Sequence, residues 1–153
     1  MDKVRELIRN KPRIYLYASI VYLLIVILLK WVRHPSPDAV WFLIGGGIGM
    51  FFLEAAEIFF ALRPSPFRSI VFGVLFSVVS FFVVTSSESP VGIGLVLSLY
   101  FQMILWQVGE WRIRGNLDSW YRMVTDVVSP ATQRTVSIVF ACVFLTETIL
   151  FIR

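Results

Sequence analysis

The sequence predicts an all-α integral membrane bundle of five transmembrane helices, with a short amphipathic helix at the cytoplasmic interface. Three observations carry this expectation: an excess of apolar residues, their gathering into five long blocks, and a Ser-Pro dipeptide just before four of those blocks.

Of the 153 residues, 58% are hydrophobic and 16% charged. A soluble domain has about 45–50% apolar and about 25% charged residues. At this length one soluble core buries only ~70% of the chain's surface, so the excess is too large for it. One domain is enough at this size. The single cysteine, Cys142, excludes an intrachain disulfide, and with one histidine, His34, no metal-ligand cluster is expected. Cys142 lies between Ala141 and Val143 and reads as a small buried hydrophobe. The net charge of +4 comes from basic residues beside apolar spans, which argues against nucleic acid as a partner. No nucleotide or other cofactor motif is present, so no cofactor is expected.

The expected spans are 14–32, 39–62, 67–85, 90–111 and 131–152. A helix needs about 20 apolar residues to cross ~30 Å of hydrocarbon. The third block reaches that length only when Phe67 and Thr85 are counted. After the first block, bulky Leu28, Leu29 and Trp31 stand where a signal peptide would need a small-x-small cleavage site, so that block reads as a retained helix.

Ser36-Pro37, Ser65-Pro66, Ser89-Pro90 and Ser129-Pro130 precede spans two to five. A serine hydroxyl accepts a bond from an orphan N–H of the first turn. Proline suits the next position, where its missing N–H costs nothing, and it pushes the preceding residue out of the helical region. The four dipeptides therefore read as helix starts.

Orientation follows from the basic residues. Eleven fall on the side of the N-terminal tail and the second and fourth loops; three, Lys30, Arg33 and Arg153, fall on the other. Short loops rich in Lys and Arg stay cytoplasmic, so the N-terminus is expected inside and the C-terminus outside, in a multi-pass protein of the plasma membrane. Trp31 and Trp41, and Trp106, Trp111 and Trp120, fall near the two expected headgroup levels.

Two segments are expected to lie on the membrane. In 117–128, Leu117, Trp120, Tyr121, Val124 and Val128 recur at helical spacing opposite Asp118, Ser119, Arg122, Thr125 and Asp126. This predicts an interfacial helix with its aromatic face in the acyl boundary. The basic segment 1–13 repeats the pattern more weakly, with Val4, Leu7 and Ile8 opposite Lys3, Arg5, Glu6 and Arg9. Anionic headgroups on the cytoplasmic face are the expected partners of these segments, beyond the bilayer itself.

Small residues mark packing faces. Gly45 and Gly49 form a GxxxG pair in span two, and Gly73 and Ser77 recur in span three. Such residues let helix backbones approach closely in lipid. Packing within the chain is the expectation; a homo-oligomer through span two, or a membrane partner protein, is the alternative.

Polar residues within spans are functional candidates by default. Glu54 and Glu57 share one face of span two, and Gln102 and Gln107 lie at matching depths in span four. Pairing of Glu54 with Gln102, and of Glu57 with Gln107, is expected to form an intramembrane polar layer. Glu110 is spaced to pair with Arg114, and Glu147 lies near the level of Lys30 and Arg33, so both read as structural ion pairs.

No catalytic triad or metal site can be assembled from these residues. The expected function is a non-catalytic packing, assembly or partner-binding component. The alternatives are a small transporter or channel subunit passing a proton or cation at Glu54 and Glu57, and an intramembrane enzyme using the same carboxylates for acid–base chemistry.

Overall fold

A computed structural model describes residues 12–60, 65–124 and 128–153. Among the described residues the chain is helical and carries no strand. The helices are α1 (Arg13–Trp31), α2 (Asp38–Phe59), α3 (Ile70–Ser86), α4 (Pro90–Arg114), α5 (Asp118–Tyr121) and α6 (Pro130–Ile152), with a 3₁₀ turn at Pro66–Arg68. Helices α1, α2, α4 and α6 are long and apolar enough to cross a membrane; α3, with 17 residues, is shorter. These helices mark a membrane protein. The segment 1–11, which includes the basic amphipathic stretch, and residues 125–127 of the second one lie outside the described residues.

The Ser-Pro signals act as the sequence implies at two of four places. Ser89 and Ser129 are N-caps, accepting from Gly92 N at 3.2 Å and from Thr132 N at 3.2 Å, with Pro90 and Pro130 opening the helices. Ser36-Pro37 is shifted by one residue: Pro37 itself is the N-cap of α2, without a side-chain cap bond, and Ser36, just before it, accepts from Asp38 N at 3.2 Å. Ser65-Pro66 departs from the pattern: it opens the 3₁₀ turn, and Ser69 caps α3 by accepting from Phe72 N at 3.3 Å. Span four continues three residues past Trp111, ending on Gly115, whose φ of 72° suits a residue without Cβ. Arg112 and Arg114 in that last turn complement the negative end of the helix dipole.

Helix α4 is the centre of the bundle. It buries Ile93, Val96, Leu97, Leu99, Tyr100 and Met103 among other residues, whereas α1 buries only Ser19, Leu23 and Val26. Its tightest partner is α2, which runs parallel to it. A Cβ placed on Gly45 would overlap the Val91 carbonyl, one on Gly49 the Leu95 carbonyl, and one on Gly94 the Phe42 carbonyl. The glycines thus bring two backbones into direct contact, the geometry small residues provide between membrane helices. The GxxxG face of α2 is therefore occupied by α4 of the same chain and is not open to a second copy. Gly46 receives the Leu23 side chain from α1, while Gly47 faces open space.

Helices α1, α3 and α6 run opposite to α4. Tyr22 stacks on Phe101 at 4.7 Å, Phe76 meets Tyr100 edge-on at 5.8 Å, and Tyr100 packs on Phe140 at 4.4 Å. The outward faces carry large apolar side chains such as Leu24, Val78 and Ile149. Cys142 belongs to that outward set and not to the core: it is exposed, on the face of α6 that also presents Ile138, Leu145 and Ile149.

The segment after α4 corrects a second expectation. Of its expected apolar face, Leu117, Trp120 and Tyr121 turn into the protein, not into the acyl boundary. Leu117, Trp120 and Tyr121 are buried, and only four residues, Asp118–Tyr121, form α5. The reason is a slot left by Gly73 of α3: Trp120 lies 3.2 Å from the place a Cβ would take there, and meets Phe140 of α6 edge-on at 5.7 Å. Met123 and Val124 remain exposed.

Candidate functional site

The polar residues that reach into the bundle are drawn from five helices, and the expected layer between α2 and α4 is replaced by ties to other elements. Glu57 faces the turn before α3. Its two carboxylate oxygens accept from Arg68 Nε at 2.6 Å and Nη2 at 2.7 Å, a bidentate pair. The Arg68 guanidinium also lies 5.7 Å from the Trp106 ring centroid on α4. The Glu57–Gln107 pairing is thus corrected: the 3₁₀ turn carries a cation to the end of α2, and a guanidinium fork outcompetes an amide for a carboxylate. Glu54, one turn away, is partly buried on the same face.

Gln102 turns to α1 instead of Glu54. Its Nε2 donates to Ser19 Oγ, and the Ser19 hydroxyl in turn donates to Tyr15 O at 2.7 Å. Both side chains are buried. Helix α1 packs against this level of α4 and supplies the acceptor. Gln107 is also buried, and among the described residues its Nε2 has no hydrogen-bond partner.

The most enclosed carboxylate among the described residues is Glu147, at 0% exposure. It stands about 8 Å from the end of α6 at 1.5 Å per residue. Ser80 of α3 donates to its Oε1 at 3.0 Å, and among the described residues its Oε2 has no hydrogen-bond partner. The expected Glu147–Lys30 pair does not form: Lys30 Nζ donates to the Phe151 carbonyl at the end of α6 and lies 4.4 Å from the Phe151 ring centroid. The C-terminal carbonyls of α6 draw the cation outward, as the helix dipole favours. Around Glu147 two hydroxyl ties join three more helix pairs. Tyr22 OH and Thr148 Oγ1 are 2.9 Å apart; Tyr100 OH bonds Ser77 Oγ at 2.8 Å and donates to Phe140 O at 3.1 Å. Ser77, read in sequence as a packing residue, is thus a hydrogen-bonding one.

Glu110 behaves as expected, with Arg114 Nε at 3.2 Å one turn away. Ser119 Oγ also donates to it at 3.3 Å, joining α4 to α5. The residue that sequence reasoning missed at this end is Gln133. It is fully buried in the first turns of α6. Its Oε1 accepts from Leu117 N at 2.7 Å, and its Nε2 donates to Asp118 Oδ1 at 2.6 Å and Val128 O at 3.0 Å. One amide thereby fixes both flanks of the α5 segment. Nothing in the local sequence singles it out, since an amide near a helix start is ordinarily a solvated residue. Burial raises the pKa of the Tyr121 phenol in α5.

Chemically these groups are hydroxyls, amides and carboxylates tied pairwise across helices. Among the described residues no three of His, Cys, Asp and Glu gather as metal ligands would. No protein-family model matches the chain, and no curated protein or solved structure does.

Proposed function

We propose that the chain is a non-catalytic, multi-pass membrane protein that serves as an assembly or partner-binding component. The supporting observation is the tying of polar groups across helices: Gln102 to Ser19, Tyr22 to Thr148, and Tyr100 to Ser77 and Phe140. Groups engaged in this way hold helices in register. The proposed topology is five spans with the N-terminus cytoplasmic and the C-terminus outside, in the plasma membrane. Its support is the eleven-to-three division of Lys and Arg between the two sides. Reporter fusions after Arg13, near Ser87 and after Arg153 test it; a cytoplasmic signal from the last would overturn it.

The second reading is a proton or cation pathway. It moves from Glu54 and Glu57 to Glu147, because the Glu57 carboxylate is engaged by Arg68 while Glu147 is enclosed with one oxygen lacking a hydrogen-bond partner among the described residues. Buried intramembrane carboxylates of this kind mark ion paths in other proteins. Proteoliposomes carrying a pH, Na⁺ or K⁺ gradient separate the readings. The first reading expects flux equal to empty vesicles. Flux that Glu147→Gln abolishes would replace it with the second.

A further inference from the structure

We infer that the groove between α4 and α6, at the end of the bundle carrying Arg112 and Arg134, binds one anionic phospholipid. A cavity of about 350 Å³ opens there. It is the size of a small-molecule pocket and far too narrow for a helix, whose diameter with side chains is ~10–12 Å. Its long walls are apolar: Ile104 and Val108 from α4, Ile138 and Ala141 from α6. Such walls suit an acyl chain.

The polar groups of the groove are what select the ligand. Gln107 and Ser137 both line it. Gln107 is 4% exposed, and among the described residues neither its Nε2 nor Ser137 Oγ has a hydrogen-bond partner. Leaving a buried donor unmade costs ~1–3 kcal/mol, so two of them lining one groove call for an acceptor that the chain itself does not supply. The two stand level: each is seven residues from the end of its helix, about 10 Å at 1.5 Å per residue.

At the mouth stand Arg112 and Arg134, both exposed. Among the described residues neither takes part in an ion pair. The Arg134 guanidinium lies 5.7 Å from the Trp111 ring centroid, a cation–π contact that uses none of its N–H donors and so leaves them for an anion. Arg112 lies about 8 Å from Gln107 along α4. That separation matches the ~5–8 Å depth of the headgroup region on one side of a bilayer. A phospholipid fits each part: its phosphate meets the two arginines, its ester carbonyls accept from Gln107 and Ser137, and one chain lies along the apolar walls. In the topology proposed above this end faces the cytoplasmic leaflet, where anionic lipids concentrate.

Native mass spectrometry of the detergent-solubilised full chain tests the assignment, with phosphatidylglycerol and phosphatidylcholine of matched acyl chains as probes. Phosphatidylglycerol is expected to bind the wild type in preference, and its affinity to fall by about tenfold or more in Arg112→Gln/Arg134→Gln. Gln107→Leu is expected to weaken both lipids. Arg33→Gln, at the opposite end, should bind as wild type. Inorganic phosphate at equal concentration should not displace the lipid, because it lacks the chain that fills the groove. Equal retention of the two lipids, wild-type affinity in the double variant, or full displacement by phosphate would each overturn the proposal. The Arg112→Lys/Arg134→Lys variant guards against misfolding: it keeps the charge, and is expected to retain a preference for phosphatidylglycerol with weaker binding. Loss of that preference in a monodisperse, helical Lys variant would also count against it.

Discussion

Glu57 and Arg68 are joined by two parallel hydrogen bonds of 2.6 and 2.7 Å, across the break between α2 and α3. The pair is partly exposed, with side chains 19% and 34% accessible, so its strength lies between that of a surface ion pair and a buried one. Arg68→Ala is expected to lower unfolding free energy by about 1 kcal/mol, and Glu57→Gln by a similar amount. The double variant should cost less than the sum. Steric-trapping measurements in bicelles check this; strict additivity would mean the two side chains do not depend on one another.

The glycines of α2 should separate by which neighbour they face. Gly45→Ala drives a Cβ into the Val91 carbonyl, which is backbone and cannot turn aside. It is expected to destabilise by about 1–3 kcal/mol through overpacking. Gly47→Ala meets nothing within 4 Å. It should be neutral or stabilising by up to ~1 kcal/mol, because alanine favours the helix. Thermal unfolding of the two variants in the same detergent compares them directly, and equal effects would contradict the α2–α4 register.

The α5 segment should depend on Gln133 and Trp120. Gln133→Leu leaves Leu117 N, Asp118 and Val128 O without this partner. It is expected to cost about 2 kcal/mol or more. Proteolysis between Gly115 and Ser129 should quicken. Trp120→Ala should cost about 3–5 kcal/mol through the cavity it leaves between Gly73 and Phe140. If Trp120 lay in lipid instead, its loss would leave the bundle's stability nearly unchanged.

The helices and their starts were legible in sequence because hydropathy, length and Ser-Pro chemistry are local. Ser89 and Ser129 cap as their spacing implies, and Glu110 meets Arg114 one turn away. What was not legible depends on which helix neighbours which. Depth along α4 pairs Gln102 with Glu54, but depth is one coordinate, and α1 brings Ser19 to Gln102. Trp120 shows the same limit. An amphipathic stripe says that a segment has an apolar side, yet only the slot at Gly73 decides that this side meets protein. Position near one end pairs Glu147 with Lys30 in sequence, while Ser80, a serine inside an apolar block, carries the contact.

Polar side chains at membrane depth tie the helices together. The Ser19–Gln102 contact tests this most directly, since both residues are buried and lie 83 positions apart on α1 and α4. A double-mutant cycle of Ser19→Ala and Gln102→Leu, read as unfolding free energy by steric trapping in bicelles, isolates their interaction. Each single variant is expected to be less stable than wild type, and the coupling to be favourable by about 0.6–1.7 kcal/mol, the range of interhelical polar contacts in membranes. Zero coupling, or a Gln102→Leu protein more stable than wild type, would contradict it, because residues held for another purpose at the expense of stability behave in that way.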